Sequence, residues 1–361
     1  MVKKIFKYIG FSSIGFFCAL LFIVVTYVTY VVTTYSRIPD NKVITVEGTG
    51  SYNSVALDSE YTIVTQNLGF GAYTQDFTFF MDGGKESRAK SKKSMEKCIN
   101  DGIDTVLNLN PNFVLFQEVD IDATRSHHVN QYEMIKNRFY GLSFAHAINY
   151  DSAYLMYPIF KPHGASKSSI VTVSDFKIIN SIRRSLPISK SLTKFLDLDR
   201  CFSVSRVKVA NGKELVLINV HTSAYGGSDE IRNAQIQMIS EVMNEEYLKG
   251  NYVICGGDFN HDFTGDSSQK LNGANVDFGW AQPFPDELLP EGFKKCINYS
   301  GELKPTCRNC DVPYKEGEFT IIVDGFIVSP NIECVEVVNI YTAFTYSDHC
   351  PVKMIFKLKQ A

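Results

Sequence analysis

The sequence predicts an α/β domain preceded by a membrane-spanning helix. Three observations carry this: strand-like apolar runs that end repeatedly in polar residues, segments with an apolar stripe at helical spacing between them, and a long amino-terminal run without charge. With 361 residues the chain is long enough to bury a substantial core. Its formal net charge of -3 is too small for the whole molecule to bind nucleic acid by field alone, so any polyanion contact must be local.

From Ile9 to Val32 no residue is charged. As a helix this run spans about 36 Å, against a hydrocarbon core of about 30 Å. Lys3, Lys4 and Lys7 precede it and Arg37 alone follows closely, so the positive-inside bias puts the short amino end in the cytoplasm and the rest outside. The run is too long for a cleaved signal peptide, and no A-x-A site follows it. The expected organisation is a cytoplasmic N-terminus (1–8), a single-pass signal anchor in the cell membrane (9–34), a polar linker with Pro39, Gly48 and Gly50 (35–58), and one extracytoplasmic domain (59–361).

Cys18 falls in the span, and the eight cysteines outside it are an even number that permits disulfides. Several, such as Cys255, sit in apolar runs where a cysteine is a small buried side chain. Cys307, Cys310 and Cys296 offer a zinc ion three thiolates, and Cys334 would have to complete the usual four.

Along the domain, Tyr61 to Gly71 is a strand candidate whose apolar run ends at Asn67. Ala89, Met95, Ile99, Ile103 and Val106 then give a helical stripe ended by Pro111, with a basic stretch from Lys85 to Lys97 on its first half. FVLFQEVD is a strand reaching Gln117 and Glu118; a helix around Tyr132 follows, with His127 and His128 read as surface residues. Short strands are expected at Phe144–Ile148 and Ser169–Val173, and a basic loop from Lys177 to Lys194 around Pro187. Two period-two runs flank Asn211-Gly212, a hairpin signal, and the second ends in His221. Ser228 caps an amphipathic helix that leads into YVICGGDFNHDF, where Asp258 and Asn260 follow two glycines. A loop-rich segment then precedes two last strands, FTIIVDGFIVS and VKMIFKL, which bracket Asp348 and His349.

In α/β architectures the ends of neighbouring strands meet at one rim and can build a single site. Here those ends carry Asn67, Glu118, His221, Asp258 with Asn260, Asp324, and Asp348 with His349. Carboxylate and amide oxygens favour Mg²⁺, with Mn²⁺ as the other option, and two imidazoles supply groups that titrate near neutrality. Phosphoester hydrolysis needs that combination: charge on the phosphoryl oxygens must be offset while a water is activated and a leaving oxygen stabilised.

In order, Gln66-Asn67, Gln117-Glu118, Asn219 to His221, Gly257 to Asn260, Val323 to Ser329 and Ser347 to His349 resemble the motifs of the endonuclease/exonuclease/phosphatase superfamily, over about Tyr61 to Leu358. The resemblance implies a four-layer sandwich, two packed and mainly antiparallel β-sheets flanked by helices, with a divalent-metal phosphoesterase site at one rim. By the same resemblance Glu118 would be the principal metal ligand, with Asn67 and Asp348 near the metal or its waters. Asp258 would orient or activate the attacking water, and Asn260 would hold a phosphoryl oxygen. His349, paired with Asp324, and His221 would face each other across the phosphate, one as base or charge stabiliser and the other as acid or hydrogen-bond donor. His221 fits the secreted deoxyribonuclease and sphingomyelinase branches better than the DNA-repair branch, which has a Tyr-x-Pro-Asn stretch there. Arg308 and Asn309, shortly before the Asp324 strand, are candidate substrate contacts.

The expected activity is hydrolysis of a phosphodiester outside the cytoplasm, with nucleic acid as the first substrate class. Phospholipid or sphingomyelin headgroups come second and a phosphomonoester third. An inactive cell-surface binding module of the same fold is the reading from another class, and it would lack a metal ligand or histidine that this chain retains. The membrane is the other partner, through the amino-terminal helix, and no protein partner is inferable.

Overall fold

The computed structural model describes residues 2–189, 194, 199–224, 228–272, 279–280, 282–297 and 302–360. Lys190, in the second basic stretch, lies outside them. The chain divides into Met1–Arg37 and Ile38–Ala361. In the first unit, helix α1 (Val2–Thr34) includes Phe11–Thr34, which has a mean hydropathy of 2.3 and is long and apolar enough to cross a membrane. Thr29 and Thr33 donate their hydroxyls to the carbonyls of Val25 and Thr29 one turn back, so these polar groups are satisfied within the helix.

The second unit contains β1 (Lys42–Val43), β2 (Val46–Glu47), β3 (Tyr61–Asn67), α2 (Lys92–Leu107), β4 (Phe113–Ala123), α3 (Gln131–Arg138), β5 (Ser143–Leu155), β6 (Gly164–Ser174), β7 (Ile178–Ser185), β8 (Cys201–Lys208), β9 (Glu214–His221), α4 (Asp229–Leu248), β10 (Tyr252–Asp258), α5 (Ser267–Asn272), β11 (Lys294–Cys296), β12 (Cys307–Arg308), β13 (Thr320–Ile321), β14 (Asp324–Val328), β15 (Ile332–Asn339) and β16 (Val352–Leu358). One sheet runs β1-β7-β8-β9-β10-β14-β11 and the other β15-β16-β3-β4-β6-β5-β2. Among the described strands, β3 with β4 and β9 with β10 pair in parallel and the other ladders are antiparallel. Each is a strand–helix–strand unit, crossed by α2 in one sheet and α4 in the other, and these two units build the centre of the fold.

Strand periodicity sorts the side chains into layers. On β9, Leu215 and Leu217 enter the core between the sheets, while Val216, Ile218 and Val220 face the core under α4. On β3, Ile63 joins the inner core and Val64 the core under α2 and α3. The result is helices, sheet, sheet and helix, the expected four-layer sandwich.

Two expectations change. Residues 38–58 belong to the domain rather than to a linker, because β1 pairs with β7 and β2 with β5. Their glycines serve turns: Gly48 and Gly50 have φ of 72° and 66°, a composition that reads as tether. The segment after Lys177 is strand β7 rather than a loop, with Arg183 buried, and Pro187 follows its end.

Candidate active site

The central strands deliver the predicted residues to one rim. Asp258 stands in register with His221 on one side and Asp324 on the other, so β9, β10 and β14 present an imidazole and two carboxylates at one level. From the second sheet, β3 ends at Asn67, which pairs with Gln117. Glu118 follows at a bulge in β4, where its φ of 53° turns the side chain toward the cavity. The two sheets are tied beneath the site by Gln117, whose Nε2 donates to Asn219 Oδ1 at 2.8 Å. Asn219 in turn donates to the carbonyls of Phe116 and Val171.

The glycines before Asp258 have separate reasons. A Cβ on Gly256 would meet the Phe326 ring at 2.5 Å, and Gly257, with φ of 143°, would drive one to 2.1 Å from the Val220 carbonyl oxygen. They fit the strand against its neighbours and turn it toward the site.

Asp258 Oδ2 is the hub of the site. It accepts from Asn67 Nδ2 at 3.0 Å and lies 3.6 Å from the Nε2 atoms of both His221 and His349. Burial raises Asp258 to about 6, against the opposing pull of His349. His349 Nδ1 meets Asp324 Oδ2 at 2.8 Å. Burial acts to lower the pKa of this ring, but Asp324, Cys307 and Asp258 more than offset it, so His349 is held well above its ordinary value. His221 is pushed the other way, by burial first and then by Arg200, His349 and Arg125. Asn149 Nδ2 lies 3.4 Å from His221 Nδ1, and an amide N–H donating there leaves the ring proton on Nε2, facing Asp258 and Glu118.

Asp348 is raised to about 7, chiefly by burial, with Glu118 adding to the effect. Its hydroxyl and thiol neighbours, Ser347 Oγ at 3.4 Å and Cys310 Sγ at 3.9 Å, are poor partners for a buried carboxylate. Paired carboxylates of this kind fit a hard divalent cation. Ligand-capable atoms of Asp258, Asp324 and His349 also lie within 4.8 Å of one another, although Asp324 and His349 already bond each other. The Asn67 amide is oriented by Gly69 N–H on its Oδ1, so its Nδ2 faces Asp258 and Glu118 as a donor.

The cavity above this rim has a volume of about 240 Å³ and is lined by Glu118, His221, Asp258, Asn260, Arg308, Asn309, Asp348 and His349. Asn260 donates its Nδ2 to the Thr222 carbonyl. Arg308 is not a surface residue. It is buried, with Nη1 and Nη2 on the carbonyls of Asn309, Thr74 and Phe77, so a bidentate grip on phosphate through that pair is already taken. Asn309 accepts from Trp280 Nε1 at 3.3 Å and donates to Asp311.

Sequence reasoning missed the side walls: Phe70, Tyr73, Phe79, Arg125, Asn149, Tyr150, His163, Arg200 and Trp280. Arg125 is buried in a double hydrogen bond to Asp120, its guanidinium 4.0 Å from the Phe70 ring centre. The available signal was Asp120, which continues the apolar strand run just after Glu118, with Arg125 five residues on. The cysteines do not gather as a four-thiol zinc set: Cys307 lies 3.5 Å from His349 Nε2, whereas Cys296 and Cys334 sit in the core between the sheets.

No family model matches the chain, and no curated protein matches it in sequence. Solved structures do match. An endonuclease/exonuclease/phosphatase from Beutenbergia cavernae has a TM-score of 0.54 at 14% identity, covering 84% of this chain and 72% of that one. ANGEL2, a 2′,3′-cyclic phosphatase solved with adenosine-2′,3′-vanadate, has a TM-score of 0.54 at 11% identity, covering 88% and 99%. An endonuclease/exonuclease/phosphatase from Bacteroides vulgatus has a TM-score of 0.50 at 15% identity, covering 84% and 100%. With two mainly antiparallel sheets between helix layers, and the named motifs gathered at one rim, the chain has the fold of the endonuclease/exonuclease/phosphatase superfamily.

Proposed function

We propose that this protein is a divalent-metal-dependent phosphodiester hydrolase acting outside the cytoplasm. The observation that carries the reading is the line Asp324–His349–Asp258, buried at the base of a cavity whose other wall holds Glu118 and Asp348. Glu118 and Asp348 would hold Mg²⁺ or Mn²⁺, with Asn67 beside them. The ion would offset phosphoryl charge and lower the pKa of a bound water.

The protein's own groups divide the remaining work. Asp258 takes the proton of the attacking water, its basicity raised by burial. His349, kept cationic by Asp324, stabilises charge on the phosphoryl oxygens. His221 is neutral and offers Nε2–H as a hydrogen-bond donor from the side opposite His349. Asn260 and Asn309 line the space where the ester sits.

The basic stretches lend little to nucleic acid as substrate. Lys90, Lys92 and Lys97 bind Asp76, Glu96 and Asp101, and Arg184 binds Asp40. The test is hydrolysis of bis(p-nitrophenyl) phosphate and p-nitrophenyl phosphate by the full chain with Mg²⁺. Diester turnover abolished by chelation and by His349→Ala is expected; turnover that survives either treatment, or is confined to the monoester, refutes the reading.

A further inference from the structure

We infer that the tip of the β5–β6 hairpin, Tyr154 to Phe160, docks the mouth of the cavity on a lipid bilayer, so that the phosphodiester headgroup of a membrane phospholipid is the substrate class. This rests on the phosphodiesterase reading above and narrows it.

The hairpin changes character along its length. Near its base Ala145, Ala147 and Ile170 are buried between the sheets. Past the last strand pairing, Leu155 with Gly164, the apolar residues turn outward. Met156 is 53% exposed, Tyr157 67%, Ile159 78% and Phe160 fully. Tyr157 also meets the Phe80 ring at 5.7 Å between centres, and the apolar surface that stays exposed, Ile159 and Phe160 above all, signals a partner surface.

The kind of partner follows from the surroundings. Arg88 Nε donates to the Pro162 carbonyl and Ser87 Oγ to that of Lys161, both at 2.5 Å, which sets the start of the first basic stretch against the hairpin. Lys85 and Lys161 are exposed there. An apolar tip with a cationic collar suits a bilayer interface, where the tip enters the acyl boundary and the cations meet phosphate. The same hairpin forms a cavity wall through Asn149, Tyr150, His163 and Ser168, so docking its tip turns the mouth toward headgroups.

The test uses the full chain in phosphatidylcholine–phosphatidylglycerol vesicles, with Phe160→Trp in a Trp280→Phe background as the single indole. Quenching by brominated acyl chains with protection from aqueous acrylamide is expected. Quenching by acrylamide and not by brominated lipid overturns docking, whether or not the protein is active. In parallel, Ile159→Asp with Phe160→Asp should leave hydrolysis of bis(p-nitrophenyl) phosphate unchanged and slow release of vesicle phospholipid headgroups at least tenfold. Equal headgroup release by variant and wild type, or cleavage of DNA or RNA with no headgroup release, overturns the substrate class. Wild type that turns over none of these diesters refutes the phosphodiesterase reading instead, and the quenching result still decides docking.

Discussion

At the scale of single residues, opposite environments for two histidines divide the chemistry. His349 has the Asp324 carboxylate at 2.8 Å behind it, whereas His221 has the Asn149 amide behind it. Removing the carboxylate without changing shape should therefore remove the charge on His349. Asp324→Asn is expected to lower kcat by about two to four orders of magnitude while KM changes little, measured by steady-state kinetics on a soluble diester. The carboxylate pair makes a second prediction. Mg²⁺ should raise the melting temperature of the wild type, because an ion that binds only the folded state stabilises it. Glu118→Gln should lose that rise, and a variant that keeps it places the ion elsewhere. Most of these residues were legible in the sequence because each ends an apolar strand run, where a buried polar group demands a reason. Arg308 was legible only as a charge, since its bonds to Thr74 and Phe77 carbonyls come from a distant loop.

At the scale of elements, the α4 helix is fastened to the first sheet by a charge cluster. Glu246 is bound by both Nη atoms of Arg206, by Lys249 and by Asn251. Burial acts to raise its pKa, but Arg206 and Lys249 prevail and hold it at about 2, below its ordinary value of 4.5. The unfolded chain thus binds this proton more readily than the folded one. The stabilisation is complete above pH 4.5 and is lost as pH falls toward 2. Glu246→Gln is expected to cost roughly 2 kcal/mol at neutral pH and progressively less toward pH 2, read by denaturant melts across that range. Element boundaries were harder to read than element identities. The β5 strand runs Ser143–Leu155, well past the expected Ile148, because beyond that point neither alternation nor burial marks a strand. The cavity walls on it went unseen for the same reason.

At the scale of the whole molecule, the amino-terminal helix is long and apolar enough to cross a membrane and would set where the proposed reaction takes place. Protease added outside intact cells should digest the domain and spare a fragment carrying the first residues, detected with an amino-terminal tag. Protection of the domain would place it in the cytoplasm. The shared rim followed from the polar strand ends, and the layered architecture from the family resemblance that their motifs carry. The tether did not, because turn glycines and a flexible linker have the same composition. The hydrogen bond between Gln117 and Asn219 matters most at this scale. Asn67 and Glu118 ride on one sheet, and His221, Asp258 and Asp324 on the other, so the distance across which an ester would be split is a shear coordinate of the sandwich. The Gln117–Asn219 amide pair, fully buried below the rim, helps to fix that shear, together with the Asn219 bonds to the Phe116 and Val171 carbonyls and the Asn67 bond to Asp258. Asn219→Ala should therefore slow turnover at saturating substrate while substrate still binds, and the catalytic precision of this protein is a property of its core as much as of its rim.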